Sequence, residues 1–462
     1  MKYFIIILLF SLSVNAQHHA NNWFFSAYIG YKFSTQDTFH TPLPYNGMVE
    51  CLSTISTESG ELLFSCDGTA LYQGTAFDTV LNGEGLLGNK SMTNGSVILT
   101  MDDFYLVIIR AAFGVRFNIV RYSESLNNWN INDIEKNIRF IKNNYVTEQV
   151  AAIKHGNGRD WWVIARSNTH IYVSLFDVNG YVNTDSIAHD FECLWSIGEI
   201  SVSAQGNKVA MVDYLGKLSL LDFDRCGGIV SNISDYNIGF TNCNTQVKTY
   251  GCCFSPNGRY LYISNQDTLF QFDVTVPDVL ASKKIVHTHN SITTQRVFAQ
   301  MERAPNGDIY LSYTGISGGT PPDFLSRIKK PDEVAPVCDF EIVAINIYHN
   351  IATGLPNMPD FYLGPLAGSP CDTLTSSTLE IKSKSMVKVY PNPAMDVLNI
   401  EMLNNLKLNS LTLLTVSGTE LMSLTPTRSL TQLNLRNIPP GFYLLRIVHA
   451  DGTVQVRKVV KQ

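Results

Sequence analysis

Few groupings in this chain have the residue types and spacing that chemistry requires. Gly315-Ile316-Ser317-Gly318-Gly319 fits the G-x-S-x-G pattern of a serine nucleophile. Such an elbow needs a strand before the serine and a helix directly after it. A strand is expected over 308–314, but Thr320-Pro321-Pro322-Asp323 follows, which places Ser317 on a loop. His287-Thr288-His289 would point two imidazoles to one face of a strand, yet a metal needs a third ligand and none stands nearby. Asp222 and Asp224 share a strand face and could attract a cation or Arg225, although a structural turn or salt bridge is the preferred account. Trp129, Trp161, Trp162 and Trp195 could form a sugar-stacking platform. Trp161 and Trp162 are neighbours on a strand, so only one can face solvent if the other is buried. No catalytic residue, metal or cofactor is expected from these groupings.

The elements that would carry them are β-strands. The 462 residues are 45% apolar and only 16% charged, with 24 Phe, 21 Tyr and 31 Gly. That is too apolar for a disordered chain and too rich in aromatics and glycine for a coiled coil. The net charge of −6 gives no basic face for nucleic acid. Residues 1–16, MKYFIIILLFSLSVNA, have one early lysine, an apolar run and small residues ending at Ala16. This is the layout of a secretory signal peptide, and the run is too short for a membrane span. Beyond it no window is long and apolar enough to cross a bilayer.

Export makes disulfides permissible for the nine cysteines. Cys51 and Cys66 flank a turn symmetrically; Cys226 is placed to reach Cys253 (or Cys243), and Cys338 to reach Cys371. Buried free thiols are the alternative for each pair.

A repeat of about 49 residues runs through the chain, each copy opening on a small-residue and glycine turn before a short alternating run. The turns stand at Gly60, Asp102-Asp103, Gly158, Gly206, Gly258 and Gly307. Three or four strands per repeat is how a β-propeller blade looks in sequence. Residues 17–372 have room for about seven blades, against six or eight, or a set of β-sandwiches. Asn22-Trp23-Phe24-Phe25 is expected to supply the missing strand of the last blade and close the ring.

After a polar linker at 373–384, the character changes. Residues 383–462 carry nine Lys or Arg and four Asp or Glu, a net +5, whereas residues 17–382 hold 24 basic and 36 acidic groups, a net −12. Seven short alternating runs over 385–462 predict a small Ig-like β-sandwich. Tyr390-Pro391-Asn392-Pro393, Leu398-Asn399-Ile400, Ser417-Gly418, Pro440-Gly441-Phe442-Tyr443 and the ending Arg457-Lys458-Val459-Val460-Lys461-Gln462 stand in order. This region resembles the C-terminal sorting domain of the bacterial type IX secretion system, with Ser417 and Pro440 as departures from its usual residues. The resemblance implies passage through the periplasm, recognition by the type IX translocon and sorting machinery, and release or attachment at the outer cell surface. The marker positions are Tyr390, Pro391, Asn392, Pro393, Gly418, Gly441, Tyr443, Lys458 and Lys461. The preceding region, with Phe254-Ser255-Pro256-Asn257-Gly258 and Gly354-Leu355-Pro356-Asn357-Met358, resembles the propellers that accompany such domains, a family without a single activity.

The expectation is an exported, all-β protein: a propeller acting as a binding scaffold for a protein or glycan, followed by an export signal. A propeller hydrolase with acidic residues at the channel, and a surface adhesin, are the alternatives. Carboxylates converging in the channel with perturbed ionisation would favour the hydrolase.

Overall fold

The computed structural model describes residues 18–25, 29–40, 50–191, 196–239, 248–315, 322–347, 354–372, 387–402, 408–415, 420–426, 430–449 and 454–461. The chain divides into two compact units between Thr373 and Leu374.

In the first unit, antiparallel sheets follow one another along the chain. They occupy residues 22–40, 53–84, 96–141, 146–188, 200–237, 252–288 and 296–346 and are numbered one to seven here. Sheet one has three described strands; sheets two and three are linked by a single parallel bridge, Leu81–Asn130, into one nine-stranded network. The others have four strands each. The first strands are β1 (Asn22–Phe25), β2 (Ser53–Ser56), β3 (Ser96–Thr100), β4 (Val146–Lys154), β5 (Ile200–Val202), β6 (Cys252–Phe254) and β7 (Arg296–Arg303). Each packs beside the next, so together they line a central axis. This is a β-propeller.

The repeat turns explain the regularity. Each connects the first and second strands of its sheet, and Gly60, Gly158, Gly206, Gly258 and Gly307 all hold φ between +69° and +86°. Only glycine adopts that region without cost, so a glycine recurs wherever this hairpin does. Asp102-Asp103 turns the corresponding hairpin of sheet three.

The N-terminal run behaves differently from the expectation. Asn22–Phe25 is the inner strand of its own sheet, pairing with Ile29–Lys32, while sheet seven has four strands of its own among the described residues. The ring closes through side-chain packing: Trp23 and Phe25 bury against Tyr310, Leu325, Ile345 and Leu355 of the far end. Trp23 meets Tyr310 edge-on at 5.7 Å.

The cysteine pairings are also corrected. Cys226 bonds Cys371, 145 residues away, which displaces both Cys226–Cys253 and Cys338–Cys371. Cys253 belongs to inner strand β6, and Cys338 is packed with Tyr262 in the core between sheets six and seven. Cys51 and Cys66 are free buried thiols: the hairpin register opposes Cys66 to Ser53, leaving Cys51 two residues further along. Cys193 and Cys243 lie outside the described residues.

The second unit is a two-sheet β-sandwich. Its strands are β8 (Val387–Tyr390), β9 (Val397–Met402), β10 (Leu408–Thr415), β11 (Glu420–Leu424), β12 (Leu430–Asn434), β13 (Gly441–His449) and β14 (Val454–Lys461). They form sheets β8-β9-β12 and β11-β10-β13-β14. Alternate residues, among them Leu398, Ile400, Leu411, Leu413, Leu445 and Ile447, fill the space between, as period-two patterning requires.

Candidate functional site

Polar side chains at the starts of the inner strands reach across the propeller axis. The Thr93 and Tyr250 hydroxyls lie 2.6 Å apart, joining the residues before β3 and β6. Glu148 accepts from the Thr93 amide at 3.1 Å. Asn94 accepts from the Ile200 amide at 3.2 Å. Glu199, just before β5, accepts from the amides of Cys252 at 2.8 Å and Met301 at 3.1 Å. Gln300 donates to the Glu50 carbonyl and accepts from the Leu355 amide. The axis at this level is therefore crossed by a hydrogen-bonded web.

Burial sets the ionisation of its carboxyls, because removing a carboxylate from water disfavours the charged form. Glu50 is pushed up to about 7, by burial first and then by neighbouring Glu148. Burial also raises Glu148, against the hydrogen bonds from Thr93 and the charge of Arg110. Glu199 rises well above the usual range despite its two amide donors. Carboxyls with perturbed ionisation thus do converge on the channel. Glu50, Glu148 and Glu199 each hold partners within the web, which gives them a structural task there.

Residues 354–372 follow sheet seven as a strap that starts at the web, where Leu355 meets Gln300, and runs on to Arg303 at the end of β7. Pro356 forms a parallel bridge with Leu52, and the Asn357 amide nitrogen donates to the Leu52 carbonyl at 2.8 Å. The buried Asn357 carboxamide donates to the carbonyls of Val150 at 2.8 Å, Ser96 at 2.9 Å and Asn94 at 3.3 Å. Asp360 pairs with Arg303 at 2.9 Å. Phe361 packs edge-on against Trp161, ring centroids 5.9 Å apart. Arg225 donates to the Gly364 carbonyl at 2.7 Å, and Leu366 to that of Gly156 at 2.8 Å. The disulfide then ties Cys371 to Cys226. Gly156 is required there, since a Cβ would stand 2.3 Å from the Cys371 sulfur.

Among the described residues, cavities lie beside the strap. A small one of about 40 Å³ lies inside the ring among Ser201, Cys252, Cys253, Met301 and Asn357. A larger one, about 150 Å³, lies at the strap face and includes Pro256, Pro305, Met358, Pro359 and Tyr362. Glu302, Arg303 and Asp360 line both. Burial raises the Glu302 carboxyl to about 8, outweighing the Arg303 charge.

The groupings singled out by sequence have other tasks. Trp161 and Trp162 are both buried, their indole N–H groups donating to the carbonyls of Thr100 and Arg225. Among the described residues Trp161, Trp162 and Trp129 form no platform: each face of sheet four is covered by a neighbouring sheet, and Trp129 packs against Phe64 and Tyr105. Ser317 and Trp195 lie outside the described residues. His287 and His289, ring centroids 6.3 Å apart, sit against Phe298 and Phe340. Burial lowers the pKa of both. No group of three or more His, Cys, Asp or Glu is placed to hold a metal among the described residues. Asp222 bonds Lys208 at 2.6 Å, and Asp224 caps the turn amides of Cys226 and Gly227. The web carboxylates and Glu302 escaped notice in the sequence. Their signal was acidic residues at Glu50, Glu148 and Glu199, near multiples of the repeat length, and a charged Glu302-Arg303 pair ending an inner strand.

In the sandwich, the marker residues converge on its last strand. Asn392 accepts from the Val460 amide at 2.8 Å, Ala394 donates back to the Val460 carbonyl at 2.8 Å, and Ala394 bridges Lys461. The Tyr390–Pro393 turn thereby covers part of the exposed edge of β14, which would otherwise invite pairing. Gly441 opposes Lys461, and Lys458 opposes Leu444. The Tyr443 hydroxyl donates to the Pro439 carbonyl at 2.7 Å. Gly418 lies outside the described residues.

Residues 388–462 match the family described as secretion system C-terminal sorting domain. The C-terminal sandwich is a type IX sorting domain. It marks the chain for export to the cell surface or extracellular space and implies interaction with the type IX secretion machinery. Among the described residues, no helix is long and apolar enough to cross a membrane. No curated protein matches the chain. Similar solved structures include a Lactobacillus plantarum protein, 10% identical, over 73% of this chain and 98% of that one, with a TM-score of 0.46. The periplasmic gluconolactonase PpgL of Pseudomonas aeruginosa is 11% identical, over 72% and 98%, with a TM-score of 0.44. The β-propeller domain of Myceliophteria thermophila Cps50 (Swd1) is 12% identical, over 63% and 87%, with a TM-score of 0.38. At these identities nothing about activity transfers.

Proposed function

We propose that the chain is an exported binding scaffold. Residues 1–16 act as a cleaved signal peptide; the propeller of residues 17–372, with the seven sheets as its blades, folds in the periplasm. A linker at 373–384 joins it to residues 385–462, which the translocon reads. The sorting-domain match over residues 388–462 carries this reading. Deleting residues 385–462 is expected to leave the protein in the periplasm, measured by fractionation and surface proteolysis; continued surface delivery refutes the export assignment.

For the propeller, a binding role is supported by the web, whose carboxyls are engaged by amides and hydroxyls, and by the cavity at the strap face. The raised Glu302 carboxyl beside that cavity favours a second reading, a hydrolase in which it serves as general acid. Turnover of extracellular glycans or peptides by the purified chain, abolished in Glu302→Gln, would establish the second reading over the first.

A further inference from the structure

The cavity at the strap face has a composition that selects its occupant. Its apolar walls are chiefly Pro256, Ala304, Pro305, Met358 and Pro359, with Tyr362 also in the lining. Proline has no N–H to donate, so the three proline walls offer little to an anion and much to an aliphatic chain. The volume of about 150 Å³ is roughly that of an apolar cavity able to take up benzene, room enough for a four-carbon chain.

The polar part of the lining is unbalanced in charge. Two carboxyls, Glu302 and Asp360, face one guanidinium, Arg303. That guanidinium is engaged by Asp360 at 2.9 Å, with both side chains largely buried. Glu302 receives only N–H donors from the backbone of Arg303 and Met358. Among the lining residues it has no cation of its own, which agrees with its raised pKa.

We propose that this cavity binds a primary ammonium group on an unbranched aliphatic stem, the stem against the proline and methionine walls and the ammonium on the Glu302 carboxylate. The proposal rests on the binding-scaffold reading and names the ligand chemistry for it. A lysine side chain of a protein partner and a free diamine share that chemistry.

The test uses the purified full chain and n-butylammonium, followed by titration calorimetry in buffers of different ionisation enthalpy. Saturable binding is expected, at least about tenfold tighter than n-butanol, because a charge-assisted hydrogen bond is lost with the alcohol. At pH 7 binding should release close to one proton as Glu302 ionises, and the release should vanish in Glu302→Gln along with most of the affinity. Arg303→Gln supplies the opposite sign: with the guanidinium gone, the amine should bind more tightly, which a misfolded variant could not produce. Nα-acetyl-lysine N-methylamide and 1,4-diaminobutane then separate the two sources: tighter binding of the former points to protein lysine, of the latter to a free diamine. Equal binding of amine and alcohol, no proton release, or an unaffected Glu302→Gln overturns the proposal. If any of these occurs while the full chain still binds protein or glycan surfaces, the ligand assignment fails and the scaffold reading stands.

Discussion

Asn357 is where the strap enters the ring, and its substitution tests whether the strap is part of the fold. Its carboxamide has two hydrogens and faces three carbonyls, with the short contacts to Val150 and Ser96 and the long one to Asn94. Asn357→Ala removes two buried hydrogen bonds and orphans their acceptors, a cost of roughly 2–4 kcal/mol. Asn357→Asp keeps the shape but turns an acceptor toward three acceptors, so the new carboxyl must stay protonated to remain in place. An aspartate in the unfolded chain has a pKa near 3.9, so holding it neutral at pH 7 costs about 4 kcal/mol. Its folded pKa is raised, so the penalty is absent below about pH 4 and grows by about 1.4 kcal/mol per pH unit above it. The aspartate variant should therefore match or exceed the alanine variant near pH 4 and fall below it at pH 7. Urea midpoints followed by tryptophan fluorescence report this, since Trp161 packs on Phe361 of the strap. Hydrogen exchange at residues 355–366 would show whether the strap opens before the ring does. A constant difference between the two variants across pH, or an alanine variant within about 0.5 kcal/mol of the parent, which is the range of a neutral surface change, would refute the reasoning.

Two further outcomes follow from the same geometry. Replacing Cys226 and Cys371 by serine removes a cross-link over 145 residues; chain-entropy arithmetic allows up to about 5 kcal/mol, with about 2–4 typical, and a lower melting temperature should show it. Glu50→Gln should stabilise the protein at pH 8 but not at pH 4.5. Its folded pKa of about 7 means that stability is lost as pH rises from 4.5 to 7, to a limit of roughly 3 kcal/mol that partial exposure reduces. Urea midpoints at the two pH values check the sign.

The parts of the fold legible in the sequence are those whose cause is local. A first hairpin that needs positive φ needs glycine, so Gly60, Gly158, Gly206, Gly258 and Gly307 announced their sheets at the repeat spacing. The turn of the sorting domain was legible for the same reason: Tyr390-Pro391-Asn392-Pro393 is contiguous, although its purpose, the cover that Asn392 and Ala394 place over β14, depends on a strand 68 residues on. What was hidden depends on the ring. Cys226 and Cys371 meet because the strap crosses from sheet seven past Gly156, and no spacing rule carries that path. The tryptophans show the same limit. On a sheet with one wet face, Trp161 and Trp162 could not both be buried; between two neighbouring sheets they are, one toward Thr100 and one toward Arg225. Because packing on both faces consumes the aromatic strand residues, the broad surfaces of the sheets have little left for binding. Chemistry is displaced to strand ends and to the strap, where Glu302, Arg303 and Asp360 stand beside a cavity that neither the inner strand nor the strap would form alone.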